Sequence, residues 1–265
     1  MKYTLGFIGC GNMGGALVRA AAKTVAGKDI AVCDFDNSKT ALLAKECGVV
    51  PTDITDLAKE SRFIVLGVKP QVMEQTISEI ADLIKPRTDL TVITMAAGLS
   101  TQAICTYIGA NLPIIRIMPN TPASLGAGMI LYTCKDVPTT SEKEFLNYFE
   151  KAGLFDKLPE DKIDAASALS GCGPAYVYAF AEALADGAVE CGVPRDKAAL
   201  YAAQTLLGAA QMLLEHGHPA DLKDAVCSPG GTTIAGVHAL EKAGLRNAAM
   251  DAVTAAYKRT LELKK

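Results

Sequence analysis

The sequence predicts an α/β protein in which a mostly parallel sheet domain, residues 1–160, precedes an all-α domain, residues 161–265. Three observations carry this prediction. In the first part, short runs rich in Val, Ile, Leu and Phe alternate with segments of helical periodicity. Each run is apolar throughout rather than at every second position, as expected of strands covered on both faces of a parallel sheet. Past Ala165 no strand-like run remains, and alanine dominates.

The strands are expected at residues 4–9, 30–34, 63–68, 91–95 and 114–118, each followed by turn residues. Helical segments lie between them at 13–26, 38–47, 72–84 and 101–108, and a strand at 128–133 with a helix near 141–151 completes the domain. The second domain reads as helices at 175–191, 195–216, 219–226, 232–243 and 245–263, punctuated by Gly192-Val193-Pro194, Gly217-His218-Pro219 and Gly244. The stretch from Tyr176 to Val189 is apolar nearly all round, the mark of a buried helix, here against a second subunit. Its many Ala and Gly residues permit close backbone approach.

Composition excludes several function classes. Of 265 residues, 50% are apolar and 21% charged, which is globular rather than disordered. The formal charge of −3 gives no long-range attraction to nucleic acid or to an anionic membrane. No window approaches the roughly 18–20 apolar residues that span a bilayer, and a cytosolic (cytoplasmic) protein is expected. The tail Glu262-Leu263-Lys264-Lys265 reads as a solvated end. The eight cysteines form no C-x-x-C pair, and His216, His218 and His238 do not complete a ligand cluster with them. No metal site is therefore expected, and the cysteines read mostly as small buried apolar residues.

Two turns look built for anions. The first, Gly9-Cys10-Gly11-Asn12-Met13-Gly14, follows an apolar strand and opens a helix, with Asp34 closing the next strand 20 residues after Gly14. That is the context of a Rossmann-type dinucleotide site. Gly9 permits the turn, Gly11 lets pyrophosphate approach the backbone, Gly14 lets helix and strand pack, and Asn12 and Met13 begin the helix whose N-terminus faces the phosphates. Asp34 suits the ribose hydroxyls and repels a 2′-phosphate, favouring NADH; Lys39 would serve NADPH if Asp34 turned away. Ligands of open α/β sheets bind at the carboxyl ends of the strands, so Val68, Lys69 and Pro70 after the third strand and Ala96 and Ala97 after the fourth join the cofactor candidates. Lys69 reads equally as a surface lysine. Asn120, in the stiff turn Met118-Pro119-Asn120-Thr121-Pro122, suits a nicotinamide carboxamide or ribose.

The second turn is Cys227-Ser228-Pro229-Gly230-Gly231-Thr232-Thr233, immediately before an apolar-periodic segment. Backbone N–H groups around Gly230 and Gly231, with the hydroxyls of Ser228, Thr232 and Thr233, form a nest for a carboxylate or phosphate at a helix N-terminus. A dinucleotide at one turn and a small acid at the other is the simplest assignment.

Six motifs together resemble the pyrroline-5-carboxylate reductase family. They are Gly6-Phe7-Ile8-Gly9-Cys10-Gly11-Asn12-Met13-Gly14, Val68-Lys69-Pro70, Met95-Ala96-Ala97-Gly98, Arg116-Ile117-Met118-Pro119-Asn120-Thr121-Pro122, Leu169-Ser170-Gly171-Cys172-Gly173-Pro174-Ala175-Tyr176 and Ser228-Pro229-Gly230-Gly231-Thr232-Thr233. The resemblance covers essentially the whole chain in the right order. It implies reduction of 1-pyrroline-5-carboxylate to L-proline with NADH or NADPH, the last step of proline synthesis, by a homodimer or a ring of dimers. It also implies that Ser228 and Thr233 bind the substrate carboxylate. Where the family often has serine between two glycines, this chain has Cys172.

The chemistry of the residues agrees. A cyclic imine with one carboxylate offers little else to hold, and hydride transfer needs alignment more than acid–base groups. The protonated iminium is already electrophilic, so Ser167, Ser170 or a water suffices beside it; for the two serines, helix capping before Pro174 is the alternative role. His216 and His218 read as turn residues near a helix end more readily than as catalytic groups. A six-membered cyclic imino acid is an alternative substrate. Among rivals, a 3-hydroxyacid dehydrogenase of similar build needs a general base and is similar in placing a lysine on the first helix of its second domain. The stretch Ala175-Tyr176-Val177-Tyr178-Ala179-Phe180 has none. A non-catalytic NAD-binding regulator would not need the Ser-Pro-Gly-Gly turn.

Overall fold

Apolar strands dictate the architecture: eight of them form one sheet in the order β3-β2-β1-β4-β5-β6-β7-β8. The structure, a computed structural model, describes residues 1–262. The strands are β1 Tyr3–Ile8, β2 Ile30–Cys33, β3 Val50–Pro51, β4 Ser61–Leu66, β5 Thr91–Thr94, β6 Ile114–Met118, β7 Gly128–Lys135 and β8 Gly153–Lys157. The pairs from β3 to β6 are parallel, β7 runs antiparallel to β6, and β8 is parallel to β7. The chain order reverses between β1 and β4, which creates the crevice where such sheets bind ligands.

The helices are α1 Asn12–Ala21, α2 Asn37–Cys47, α3 Ile54–Glu60, α4 Pro70–Ser78, α5 Ala81–Ile84, α6 Thr101–Ile108, α7 Thr139–Phe149, α8 Glu160–Ser170, α9 Gly173–Glu190, α10 Arg195–His216, α11 Pro219–Val226, α12 Thr232–Lys242 and α13 Leu245–Glu262. Local chemistry starts several of them. Asp36 caps α2 by accepting from Ser38 N–H, Asp53 caps α3 by accepting from Thr55 and Asp56, and Ser100 caps α6 by accepting from Ala103. Proline stands at the start of α4.

Successive residues of each strand point to opposite faces, and both faces are apolar. On one, Leu5, Phe7, Val32, Phe63 and Ile93 pack with Leu17 of α1 and with Phe145 and Phe149 of α7. On the other, Ile8, Ile64, Leu66 and Val92 pack with Leu57 of α3, Met73 of α4 and Ile104 of α6. Helix α8 continues this second layer through Ile163, which meets Met118 and Leu131.

Several elements differ from expectation. The segment 72–84 is two helices, because the hydroxyls of Thr76 and Ser78 donate back to the carbonyls of Val72 and Gln75 and loosen the ladder before the buried Ile80. Helix α1 stops at Ala21 rather than at residue 26, where Thr24 Oγ1 takes the Ala21 carbonyl and also reaches Tyr148 O at 2.6 Å. The short strands β3 and β8 and the helices α3 and α8 were not expected. The helix expected at 245–263 is seen to Glu262, and the remainder of the tail lies outside the described residues. The cysteines are less buried than expected: Cys10 and Cys105 are buried, whereas Cys172 and Cys191 are exposed.

By internal contacts the chain divides into two units, residues 1–172 with the stretch from Ala256 onward, and residues 173–255. In the second unit α9 and α10 meet through Ala185, Ala198 and Ala202, small side chains that let the helices approach closely. The rest of α9 is not buried within the single chain, since Val177, Tyr178 and Leu184 are exposed. So are Leu200, Tyr201 and Leu207 of α10.

The core that holds the sheet's outer half is aromatic. Phe145 lies 5.5 Å from Phe149, 5.6 Å from Tyr132 and 5.4 Å from Phe155, ring centre to ring centre. Phe145→Ala should lower unfolding free energy by about 3–5 kcal/mol, measured by denaturant unfolding. Leu154→Ala, at an exposed side chain of β8, should change it by less than about 0.5 kcal/mol. A cost at Phe145 no larger than that at Leu154 would contradict the packing described.

Candidate active site

The glycine turn after β1 is shaped by close backbone contact. Gly9 has φ +97°, and a Cβ there would lie 2.7 Å from the Gly67 carbonyl carbon at the end of β4. A Cβ on Gly14 would lie 2.1 Å from the Gly9 carbonyl oxygen, so α1 leaves the turn hard against the strand. A Cβ on Gly11, by contrast, would meet nothing within 4 Å among the described residues. Gly11 also precedes α1 with no capping side chain among the described residues and no acid in the first turn. The N–H groups of Asn12, Met13 and Gly14 thus begin an uncapped, partly positive helix end.

Beside this turn lies a cavity of about 1060 Å³. Of the expected cofactor residues, Gly9, Gly11, Asp34, Val68 and Lys69 line it. Asn12, Met13 and Gly14 form the first turn of α1, and Pro70 opens α4. Ala96, Ala97 and Asn120 follow β5 and β6 and lie outside that lining. Lys69 both lines the cavity and is exposed, so its two readings meet in one place. Phe35, fully exposed at the rim, Thr52 and Asp53 between β3 and α3, and Ile54 at the start of α3 add walls that the sequence reading did not include. A dinucleotide fits this site: the uncapped helix end matches phosphate, the open Gly11 leaves room for it, and the cavity is long enough to reach the strand-end acid.

Asp34 is turned toward the protein. Its Oδ2 accepts from Cys10 N–H at 2.6 Å, and its Oδ1 accepts from Asp36 N–H at 2.9 Å and from Lys39 Nζ at 3.4 Å. Lys39 also lies 3.9 Å from Asp36, so one ammonium faces two carboxylates. The hydroxyl and N–H of Ser38 hold the Asp36 carboxyl below its usual range. Burial, reinforced by Asp34, pushes the Cys10 thiol up to about 12, which leaves it neutral and unreactive.

Asn120 is a tether. Its Nδ2 donates to Ser170 O at 2.9 Å, and its Oδ1 accepts from Met129 N–H at 3.0 Å. Ser167 and Ser170 occupy the last turns of α8 and therefore do not cap α9, whose first residue is Gly173. The Ser167 carbonyl accepts from Gly171 N–H at 2.8 Å, closing the helix end. Ser170 Oγ is buried and has no hydrogen-bonding partner among the described residues.

Sequence reading assigned no role to Arg116, the one charge in the run Ile114-Ile115-Arg116-Ile117-Met118. Its side chain is almost wholly buried, with Nη2 2.6 Å from Asp164 Oδ1 and Nη1 3.5 Å from Glu160 Oε1. Glu160 in turn accepts from the N–H of Thr101 at 2.7 Å and from its hydroxyl at 2.8 Å. Arg116 Nε has no partner among the described residues, an omission that costs about 1–3 kcal/mol when buried.

In the second unit, Gly231 N–H donates to Ser228 O at 3.0 Å and Gly230 has φ +69°, so residues 228–231 form a tight turn. Helix α12 starts at Thr232 with no capping side chain among the described residues and no acid in its first turn. A Cβ on Gly231 would lie 2.4 Å from Ser228 Oγ, which places that hydroxyl over the turn. Ser228, Gly230 and Thr232 are exposed, and Thr233 is half-buried. The arrangement is an open helix N-terminus ringed by hydroxyls. His216 ends α10, and His218, exposed before α11, lies 3.6 Å from Asp221.

Comparison with known proteins follows this geometry closely. Residues 160–263 match the family model described as pyrroline-5-carboxylate reductase dimerisation, and residues 4–98 match that of NADP oxidoreductase coenzyme F420-dependent. A pyrroline-5-carboxylate reductase of Escherichia coli (strain K12) is 38% identical over 270 residues, covering 100% of both chains. The structure of a pyrroline-5-carboxylate reductase from Coxiella burnetii superposes with a TM-score of 0.90 at 34% identity, covering 100% of each chain. That of Plasmodium falciparum pyrroline carboxylate reductase with NADP bound gives a TM-score of 0.86 at 30% identity, again over 100% of each. No described helix is long and apolar enough to cross a membrane. The chain belongs to the pyrroline-5-carboxylate reductase family and, with it, to the NAD(P)H-dependent oxidoreductases.

Proposed function

We propose that this protein reduces the C=N bond of 1-pyrroline-5-carboxylate to give L-proline, with NADH preferred over NADPH. The observation that carries the reading is the second open helix N-terminus, at Gly231, with Ser228, Thr232 and Thr233 around it, in a chain that already holds a dinucleotide cradle. A substrate with one carboxylate needs one such nest. Residues 1–160 serve the dinucleotide, and residues 161–265 serve the imino acid and the contact between subunits, as a homodimer or a ring of dimers.

When bound, the nicotinamide cofactor supplies the hydride. The chain's residues do the rest. Gly9, Gly11 and the first turn of α1, Asn12 to Gly14, receive the pyrophosphate, with Val68, Lys69 and Pro70 on the opposite wall and Ala96, Ala97 and Asn120 toward the nicotinamide end. The turn at 228–233 grips the carboxylate through Gly230 and Gly231 N–H groups and the Ser228 and Thr233 hydroxyls, fixing which ring face is presented. A hydroxyl of Ser167 or Ser170, or a water, stands beside the imine nitrogen. Ser170 Oγ, buried without a partner among the described residues, is suited to that place.

The preference for NADH follows from charge. At the end of β2 the only cation on the cavity wall among the described residues, Lys39, is matched by Asp34 and Asp36, and Asp34 repels a 2′-phosphate.

The test is to supply purified protein with 1-pyrroline-5-carboxylate and follow oxidation of NADH and, separately, NADPH. Proline should appear with either, faster with NADH; cofactor binding without turnover would overturn the reading. Asp34→Ser should raise the NADPH to NADH ratio of kcat/KM about tenfold or more, the worth of one charged contact. An unmoved ratio would remove Asp34 from cofactor choice. Thr233→Val should raise KM for the imino acid about 10–150-fold with NADH affinity unchanged, as expected for one lost hydrogen bond to a charge. An unchanged KM would remove Thr233 from the site.

A further inference from the structure

Strand β6 and the turn that follows it grip α8 at two points. Near the helix start, Arg116 reaches Asp164 at 2.6 Å and Glu160 at 3.5 Å. At the helix end, Asn120 Nδ2 donates to the Ser170 carbonyl at 2.9 Å. Asn120 lies four positions after Arg116, about 13 Å of extended chain, and Asp164 lies about 9 Å of helix from Ser170. Two polar clamps, one from the strand and one from its following turn, therefore define where α8 lies along its own axis.

Apolar packing alone does not set that position. The layer beneath α8 is Ile163, with Ala166, against Met118, Leu131, Met129 and Leu158, and such apolar burial is non-directional, whereas hydrogen bonds are directional. A buried ion pair is weak evidence for stability, because an apolar replacement of similar volume is often as stable. Arg116 also leaves Nε unpaired among the described residues, a poor arrangement if burial energy were its purpose. What its fork supplies is register. Through Glu160 the same fork is joined to Thr101, the first residue of α6, so the register of α8 is tied to a second helix on this face.

We propose that Arg116 is a positioning residue for the reaction: by holding Asp164 and Glu160 it fixes the axial register of α8 and with it the Ser167 and Ser170 hydroxyls. The inference rests on the reading above, in which those hydroxyls stand beside the imine. A displacement of about 1 Å in a positioned group lowers turnover up to about 100-fold.

The experiment compares Arg116→Lys and Asp164→Asn with the wild type. NADH affinity and binding stoichiometry are measured by fluorescence titration, and turnover is expressed per bound cofactor. The deuterium isotope effect on kcat is read with NADH labelled at the transferred position. The expected result is a kcat per site lowered about tenfold or more, NADH affinity unchanged, and an isotope effect larger than that of the wild type, because the chemical step becomes limiting. Turnover per site and isotope effect both equal to the wild type, with only the number of sites reduced, would overturn the proposal and leave Arg116 a structural residue. If neither variant folds, Thr101→Val removes one hydroxyl from Glu160 and should give the same signature in smaller degree; its absence would again overturn the proposal. A wild-type enzyme that binds NADH but does not reduce the imine would overturn the functional reading itself, a result distinct from either.

Discussion

The structure turns on a backbone-to-backbone contact at the point where strand order reverses. Gly9 and Gly67 lie against each other at the ends of β1 and β4, and Gly14 lies against the carbonyl of Gly9. Any side chain at Gly9 or Gly14 would overlap backbone atoms, which cannot move aside as a flexible side chain can. Because these three residues close up, α1 begins directly over the crevice with its unpaired N–H groups presented and Gly11 left open. The cavity beneath, the acid at the end of β2 and the wall after β4 all take their places from that contact.

The same sheet then uses polar groups where apolar ones would pack as well. Asp34 is held by Cys10 N–H, Asp36 N–H and Lys39, so the carboxylate at the cavity wall also fastens the glycine turn to β2. Arg116 on β6 and Asn120 in the turn after it fasten α8 in a comparable way. In each case a buried or half-buried polar group fixes direction rather than adding much stability. The second unit solves a different problem. Its helices join through alanines and leave large apolar side chains exposed on the single chain, in a stretch that matches the family's dimerisation model.

Much of this was readable in the sequence, for physical reasons. Parallel strands buried on both faces are apolar at every position, so β1, β2, β4, β5 and β6 stand out. The glycine spacing and the Ser-Pro-Gly-Gly turn are visible because Gly9, Gly14 and Gly230 stand where a side chain would be strained or overlap backbone. The edges were not visible. Strand β3 is two residues long and includes Pro51, and β8 carries Asp156 and Lys157, so neither forms an apolar run. Helix α8 was obscured by four charged residues in its first five, Glu160, Asp161, Lys162 and Asp164 among them; two of these turn inward to Arg116. With that helix unseen, Ser167 and Ser170 were placed at the start of the next one. The contacts of Asp34 with Cys10, Arg116 with Asp164 and Asn120 with Ser170 span 24, 48 and 50 positions, and no local pattern carries that information.

The central claim is that this chain delivers a hydride to the imine carbon of a carboxylate-bearing ring. The most direct measurement is to run the reaction with NADH carrying deuterium at the transferred position and locate the label in the product by mass spectrometry and NMR. The account predicts one deuterium per proline, on the ring carbon that was doubly bonded to nitrogen and none on the carbon bearing the carboxylate. Cofactor oxidation without labelled proline, or label at the carboxylate-bearing carbon, would contradict it.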